Sequence, residues 1–392
     1  MLNTAFSPWP NYSEEEAERI HQVLLSNKVN YWTGNECREF ENEFAAWVGT
    51  KYAVALANGT IALDVALKAI GIKAGDEVIV TSRTFIASAS SIVTCGGTPV
   101  FADVDENSQN ITAETIRAVV TPNTKAIICV HLAGWPCDMD PILALAEELN
   151  LYVIEDCAQA HGAQYKGRSV GSIGHIGAWS FCQDKIMTTG GEGGMVTTND
   201  EQLWSSMWSY KDHGKSWDAI YNEPIEPGFR WLHRSFGMNG RMIEIQAVIG
   251  RIQLKKMPTW HQQRLGNLKQ IYEVASTLKG LRVPQIPDEI VHAAYKCYVF
   301  VEESQLAAGW DRNRILKEIN DRGVPCYQGS CSEVYLEKAF DNTGWRPHNR
   351  LPVASKLGET SLMFLVHPSL LKSEIDKTCQ VLTEVMLQAT QV

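Results

Sequence analysis

The chain has 392 residues, 45% of them hydrophobic and 20% charged, with a formal net charge of −10. That length allows two or three domains and a substantial core, while the acidic balance argues against nucleic acid or an anionic membrane surface as partner. No apolar run reaches the length of a membrane span, and the stretch through Ile20 lacks the basic and apolar parts of an export signal, so the cytoplasm is the expected location.

From residue 52 onward, short β-rich runs alternate with helical patterns. Seven strands are predicted: "YAVALAN" from Tyr52, "EVIVTS" from Glu77, "PVFADVD" from Pro99, "KAIICVHL" from Lys125, "LYVIEDCA" from Leu151, "IGAWSFC" from Ile176 and "GGMVTTN" from Gly193. Most are continuous apolar runs, as a sheet covered on both faces requires. Helical patterns lie between them, for example "GTIALDVALKAIGI" and "DPILALAEELN". Such βα alternation predicts a largely parallel sheet with right-handed crossovers.

A helical pattern starts at Met242, with apolar residues at Ile243, Ile245, Ala247, Ile249 and Ile252. The pattern changes after about Pro258. A long amphipathic helix is predicted from Trp260, ending at Gly280 as its C-cap. A smaller α+β unit follows, and the expected division is residues 1–258 and 259–392, with the long helix as bridge. A ligand site between the two units is expected.

Ten cysteines are scattered along the chain, and no CxxC occurs. The closest pair, Cys326 and Cys331, has no matching second pair. No metal site is therefore expected, and the cysteines read as free thiols in a reducing compartment.

Four stretches carry candidate chemistry. In "ALANGTIALDVAL" a strand ends, Gly59 permits a tight turn and a helix begins near Thr60. Its first N–H groups favour an anion, although the stretch taken alone reads rather as an ordinary turn capped by Thr60. In "VIEDCAQAHGA" Asp156 ends an apolar strand, at the edge where open α/β sheets place ligand groups. An N-cap role is open for it too. Glu155 points to the opposite face, Gln159 follows, and His161 reads as a core residue.

In "SFCQDKIMTTGGEGG" the lone Lys185 lies between a buried strand and a glycine-rich turn. An enclosed amine can lose its proton and attack an aldehyde or ketone, while a solvated lysine is the bland alternative. In "SFGMNGRMIEIQAVIG" Asn239 sits in the loop before the helix.

Taken together, these describe one ligand. An anion site at Gly59–Thr60, a carboxylate for a ring nitrogen at Asp156 and an amine for an aldehyde at Lys185 fit pyridoxal 5′-phosphate. Phe85, just past a strand end, offers an aromatic face for the ring. A nicotinamide-binding site is disfavoured, because GxGxxG is missing after the first strand.

The order "NGT", "TF-A-AS", "EDCAQAHGA", "SFCQDKIMTTGGEGG" and "GMNGRMIEIQAVIG" resembles the DegT/StrS-type sugar aminotransferases, which are fold-type I pyridoxal-phosphate enzymes. The similarity runs from about Asn30 to Leu370. The resemblance implies a mostly parallel seven-stranded sheet in a large cofactor-binding domain and a smaller C-terminal α+β domain, with the N-terminal segment at the substrate site. It gives Lys185 the cofactor-binding amine, Asp156 the ring nitrogen, and Gln159 the O3′ side. It gives Phe85 the ring face, and Gly59, Thr60 and Ser180 the phosphate. Asn239 is implied to reach the phosphate of a neighbouring subunit's cofactor, which makes the unit a homodimer with shared sites.

The implied reaction moves an amino group from glutamate, releasing 2-oxoglutarate, to a nucleotide-linked keto-deoxy-sugar. The implied context is amino-sugar synthesis for a surface polysaccharide, such as a lipopolysaccharide O-antigen, or a glycoconjugate. A cyclitol aminotransferase or another pyridoxal-phosphate enzyme on the same fold is one alternative, and a non-catalytic ligand sensor is another. A branch with histidine for the lysine performs dehydration, and Lys185 argues against it. Two departures stand out. An extra glycine gives "TTGGEGG", and "VPCYQGSCSEVYLEKAF" lacks the histidine common in that part of the small domain.

Overall fold

The computed structural model describes residues 6–224 and 228–391. All seven predicted strands form and share one sheet: β1 (Tyr52–Leu56), β2 (Glu77–Thr81), β3 (Thr98–Ala102), β4 (Thr124–Val130), β5 (Tyr152–Asp156), β6 (Ile176–Ser180) and β7 (Gly194–Thr198). Their order is β1-β7-β6-β5-β4-β2-β3. The pairs β6–β5, β5–β4, β4–β2 and β2–β3 are parallel. Strand β7 is antiparallel to both its neighbours.

Alternation along each strand divides the core. Val54, Leu56, Val78, Val80, Ile128 and Ile154 point to one face, into a single apolar cluster. Ala53 and Ala55 point to the other face, as do Ile79, Ile127 and Val153. Burial on both faces explains why the strands read as unbroken apolar runs.

Three helices position the residues of interest: α1 (Gly59–Ala69), α2 (Ala87–Thr94) and α3 (Glu244–Ala275). Helix α1 starts at the end of β1. Its N-cap is Asn58, whose side chain accepts from Ile61 N–H at 2.9 Å. The cap is therefore Asn58, two residues earlier than a Thr60 cap.

Helix α3 departs from the predicted pair of segments. It runs unbroken through Pro258. Leu254, Met257, Arg264 and Leu268 are buried on either side of the proline, so packing holds the helix where local preference favours a break. It stops at Ala275 with Ser276 as C-cap, before Gly280. Gly280 sits with φ +82° beyond the closing turns.

The C-terminal part has its own four-stranded antiparallel sheet, built from Leu281–Arg282, Cys297–Val301, Ser361–Phe364 and Cys326–Tyr327 in that spatial order. Its core joins Leu268, Val299, Ile315, Phe364 and Leu382, and Phe6 of the N-terminal segment packs into it. No described helix is long and apolar enough to cross a membrane. All ten cysteines are free.

Candidate active site

The register of the sheet assembles the site. Gly194, the first residue of β7, pairs with Leu56 on one side and Ser180 on the other. Asp156 pairs with Ala178 in the next strand. The ends of β1, β6 and β5 thus lie side by side, at the edge where open α/β sheets bind ligands.

At the end of β1, Gly59 sits against Ser180. A Cβ on Gly59 would stand 2.5 Å from Ser180 Cβ and 2.8 Å from its Oγ, so no larger residue fits. Asn58 occupies the Ile61 N–H. The N–H groups of Gly59 and Thr60, in the first turn of α1, have no partner among the described residues. They are donors held ready for an anion. Ser180 Oγ accepts from Cys182 N–H at 3.3 Å, which leaves its proton to donate.

Asp156 is 6% exposed. Its Oδ2 accepts from Ser88 Oγ at 2.8 Å and its Oδ1 from Ala158 N–H at 3.2 Å. Thr84 Oγ1 lies 2.9 Å from Ser88 Oγ and extends the chain of hydroxyls. Burial pushes the Asp156 carboxyl above its usual range, while Ser88, Ala158 and Lys185 oppose the shift. The neighbouring Glu155 faces away, as alternation predicts. Its oxygens accept from the N–H groups of Gly171, Ile173 and Gly174 and meet His131 Nε2 at 3.0 Å. His131 Nδ1 accepts from Cys137 N–H, so Nε2 carries the proton. Together with Cys157 these side chains bring three metal-ligand types near one another. Glu155 is spent on hydrogen bonds, however, and the cluster braces the strand.

A cavity of about 980 Å³ opens on this edge, and Lys185, Gln159 and Phe85 line it. Lys185 Nζ lies 3.5 Å from Asp184 Oδ1 and 5.4 Å from the centre of the Tyr295 ring. Gln159 Oε1 accepts from Ala133 N–H at 2.8 Å, which turns its NH₂ group toward the cavity. Phe85 is 67% exposed, a large apolar ring presented to the cavity rather than to the core. His161 is a core residue, packed against Trp179 and Phe181. Burial drives its pKa down to about 3.

Asn239 is not part of this cavity wall. It is exposed, bridged to Asp212, and next to Gly240, whose carbonyl accepts from Ala57 N–H. The extra glycine of "TTGGEGG" has a backbone reason. Gly190 and Gly191 both hold positive φ, at +86° and +122°, a succession that side chains resist.

Several cavity residues carry no local sequence signal. Trp9 reaches in from the N-terminal segment, and its Nε1–H donates to the Lys185 carbonyl at 2.8 Å. Arg264 comes from α3, Lys296 from just before the strand Cys297–Val301 and His367 from just after the strand Ser361–Phe364. Ser88, behind Asp156 rather than in the cavity wall, lies in the first turn of α2, three residues after Phe85. The others arrive from distant segments.

The profile of the DegT/DnrJ/EryC1/StrS aminotransferase family matches residues 10–383. A GDP-perosamine synthase of Caulobacter vibrioides is 36% identical over 89% of this chain and 90% of its own length. A UDP-N-acetyl-3-dehydro-α-D-glucosamine 3-aminotransferase of Acidithiobacillus ferrooxidans is also 36% identical, over 97% of this chain and 95% of its own. The crystal structure of an aminotransferase from Psychrobacter cryohalolentis superposes with a TM-score of 0.97 at 64% identity, covering 98% of this chain and all of the other.

Proposed function

Because the chain belongs to the DegT/DnrJ/EryC1/StrS aminotransferase family, we propose that it moves an amino group from glutamate to a nucleotide-linked keto-deoxy-sugar, in amino-sugar synthesis for a surface polysaccharide. It is a pyridoxal-phosphate-dependent enzyme, and its relatives are nucleotide-sugar aminotransferases. The observation that carries the reading is the meeting of Lys185, Gln159 and Phe85 in one cavity of about 980 Å³, with Asp156 near enough to feel the Lys185 charge. The exposed Phe85 ring and the N–H groups of Gly59 and Thr60, without a partner among the described residues, suit an aromatic phosphate ester.

Bound there, pyridoxal 5′-phosphate supplies an electron sink for bond changes at the donor's Cα. Lys185 would hold it through the side-chain amine, and that amine is the group that would take and return a proton at that carbon. Asp156 keeps a positive charge on the ring nitrogen, and Ser88 orients that carboxylate. Phe85 would cover one ring face, and the Gln159 amide would serve the O3′ side. Gly59, Thr60 and Ser180 hold the phosphate.

Residues 1–258 form the cofactor-binding unit in this reading, and 259–392 the smaller unit, with α3 spanning both. The functional form is a homodimer in which Asn239 reaches the partner's phosphate. Support comes from the segment before Asn239, where Phe229, Trp231 and Phe236 are 78%, 81% and 99% exposed. Such a run of bare aromatics suits a protein interface. The cytoplasm is the compartment in which nucleotide-linked sugars would meet it.

The test is to incubate the cofactor-loaded enzyme with glutamate and a panel of nucleotide-linked 3-keto and 4-keto sugars, with a keto-inositol as comparison. Products are identified by mass and NMR. Amination of a nucleotide-linked sugar is expected. Amination of the keto-inositol alone would replace the acceptor assignment.

A further inference from the structure

One buried cation of the cavity has no part in the proton and cofactor roles above. Arg264, on α3, is 1% exposed yet lines the cavity. Its guanidinium carbon stands 4.9 Å from the ring centre of Trp9. Trp9 is held in turn by a stacked contact with His367 at 5.9 Å and an edge contact with Trp260 at 5.1 Å. The Nε and Nη2 groups of Arg264 meet no hydrogen-bond acceptor among the described residues. No described carboxylate pairs with it, and the acidic group that bears on it is the Tyr295 phenol.

Leaving a guanidinium dry and unpaired is costly. Burial pulls its pKa down to about 9. Lys296 lines the same cavity and is pushed down to about 8, first by burial, with Arg264 and Lys185 adding repulsion and Asp184 opposing. Asp184 is already engaged, by the Tyr295 hydroxyl at 2.5 Å and by Lys185 at 3.5 Å. This part of the wall therefore has positive charge to spare, and it calls for an anion.

We propose that Arg264, with Lys296 beside it, is the carboxylate-binding subsite for the amino-acid donor, an assignment that rests on the aminotransferase reading. Position argues for the donor over the diphosphate of the acceptor. The indole against Arg264 donates its N–H to the Lys185 carbonyl at 2.8 Å, so the guanidinium lies one side chain away from the backbone of the reacting lysine, and both side chains line the same cavity. An α-amino acid carries its carboxylate one bond from the carbon that bears the amine. The diphosphate of a nucleotide-linked sugar is separated from a ketone by the sugar ring. The planar fork of arginine also matches a carboxylate in bidentate fashion.

The experiment uses the cofactor-loaded enzyme and measures three quantities. They are the affinity for glutarate by calorimetry, the glutamate concentration for half-maximal spectral change in the donor half-reaction, and the affinity for uridine and guanosine diphosphates. In Arg264→Gln the first two are expected to weaken by about tenfold to a hundredfold, with nucleoside diphosphate binding unchanged. Arg264→Lys is expected to recover part of the loss and stands in if the glutamine variant does not fold.

Unchanged glutarate affinity in a folded variant overturns the proposal. So does a loss that falls equally on the nucleoside diphosphates. The two assignments separate cleanly. An enzyme that binds glutarate through Arg264 but aminates no keto-sugar keeps the subsite and loses the acceptor. An enzyme that aminates a keto-sugar equally well in Arg264→Gln loses the subsite alone.

Discussion

The hydroxyl of Ser88 donates to Oδ2 of Asp156 at 2.8 Å, from the first turn of α2 to the last residue of β5. Burial raises the carboxyl's pKa and Ser88 lowers it. Removing the hydroxyl therefore makes Asp156 easier to protonate. In Ser88→Ala the acid limb of the kcat profile is expected to move to higher pH, with most of the plateau retained. Asp156→Asn is expected to lose turnover by orders of magnitude at every pH, since a neutral amide cannot hold the ring nitrogen's charge. Near-normal turnover in Asp156→Asn would reduce this residue to a backbone cap.

Borohydride treatment of the cofactor-loaded enzyme is expected to attach the cofactor to Lys185, read by peptide mapping. Lys185→Ala should take up the cofactor without the covalent link and lose turnover by several orders of magnitude. A label on another lysine, such as Lys296, would move the chemistry there.

Mixed dimers test Asn239. Asn239→Ala alone should weaken cofactor affinity by about tenfold to a hundredfold, the worth of a charge-assisted hydrogen bond. When Lys185→Ala and Asn239→Ala subunits exchange, shared sites give each mixed dimer one site with both lesions and one with neither. Activity at limiting cofactor should then rise above both parents. Activity at the parents' weighted mean, with exchange proved by tagged subunits, would make the site private. That result would fit the contact between Gly240 and Ala57 within one chain.

Acid should destabilise the fold through three buried histidines, His161, His292 and His367, the last also held down to about 3 by burial. Burial lowers the pKa of His161 and of His292 to about 3. The unfolded chain, near 6.5, binds these protons first, so stability is fully present above about pH 6.5 and is lost as pH falls toward 3. Each histidine is expected to contribute about 1.4 kcal/mol per pH unit within that window. Thermal melts from pH 7 to 4.5 should show a falling Tm, and His161→Phe should flatten the slope. An unchanged slope would mean that His161 takes a proton without unfolding.

The sheet and its edge were legible because each strand carries its own apolar run, and because Asp156 ends a strand and Gly59 opens the turn after one, while Ser180 was marked only by the family resemblance. Lys185 was legible as a single charge in an apolar and glycine-rich setting. Trp9, Arg264 and Lys296 were not. Trp9 bonds to a carbonyl 176 residues away, and nothing local marks that meeting. Pro258 misled because a proline's local preference is readable, while the packing of Leu254, Met257 and Leu268 that overrides it is not.

The place of β7 between β1 and β6 has a consequence for how the chain is made. Tyr52 finds its partner only when Thr198 exists. During synthesis β1 leaves the ribosome early and stays without a neighbour until the last of the seven strands is complete. Its apolar residues must wait through the building of β2 to β6, and pairings of such long sequence separation form slowly. Nascent chains that stall before Gly194 would carry a bare strand on an unfinished sheet, the kind of edge that recruits other chains.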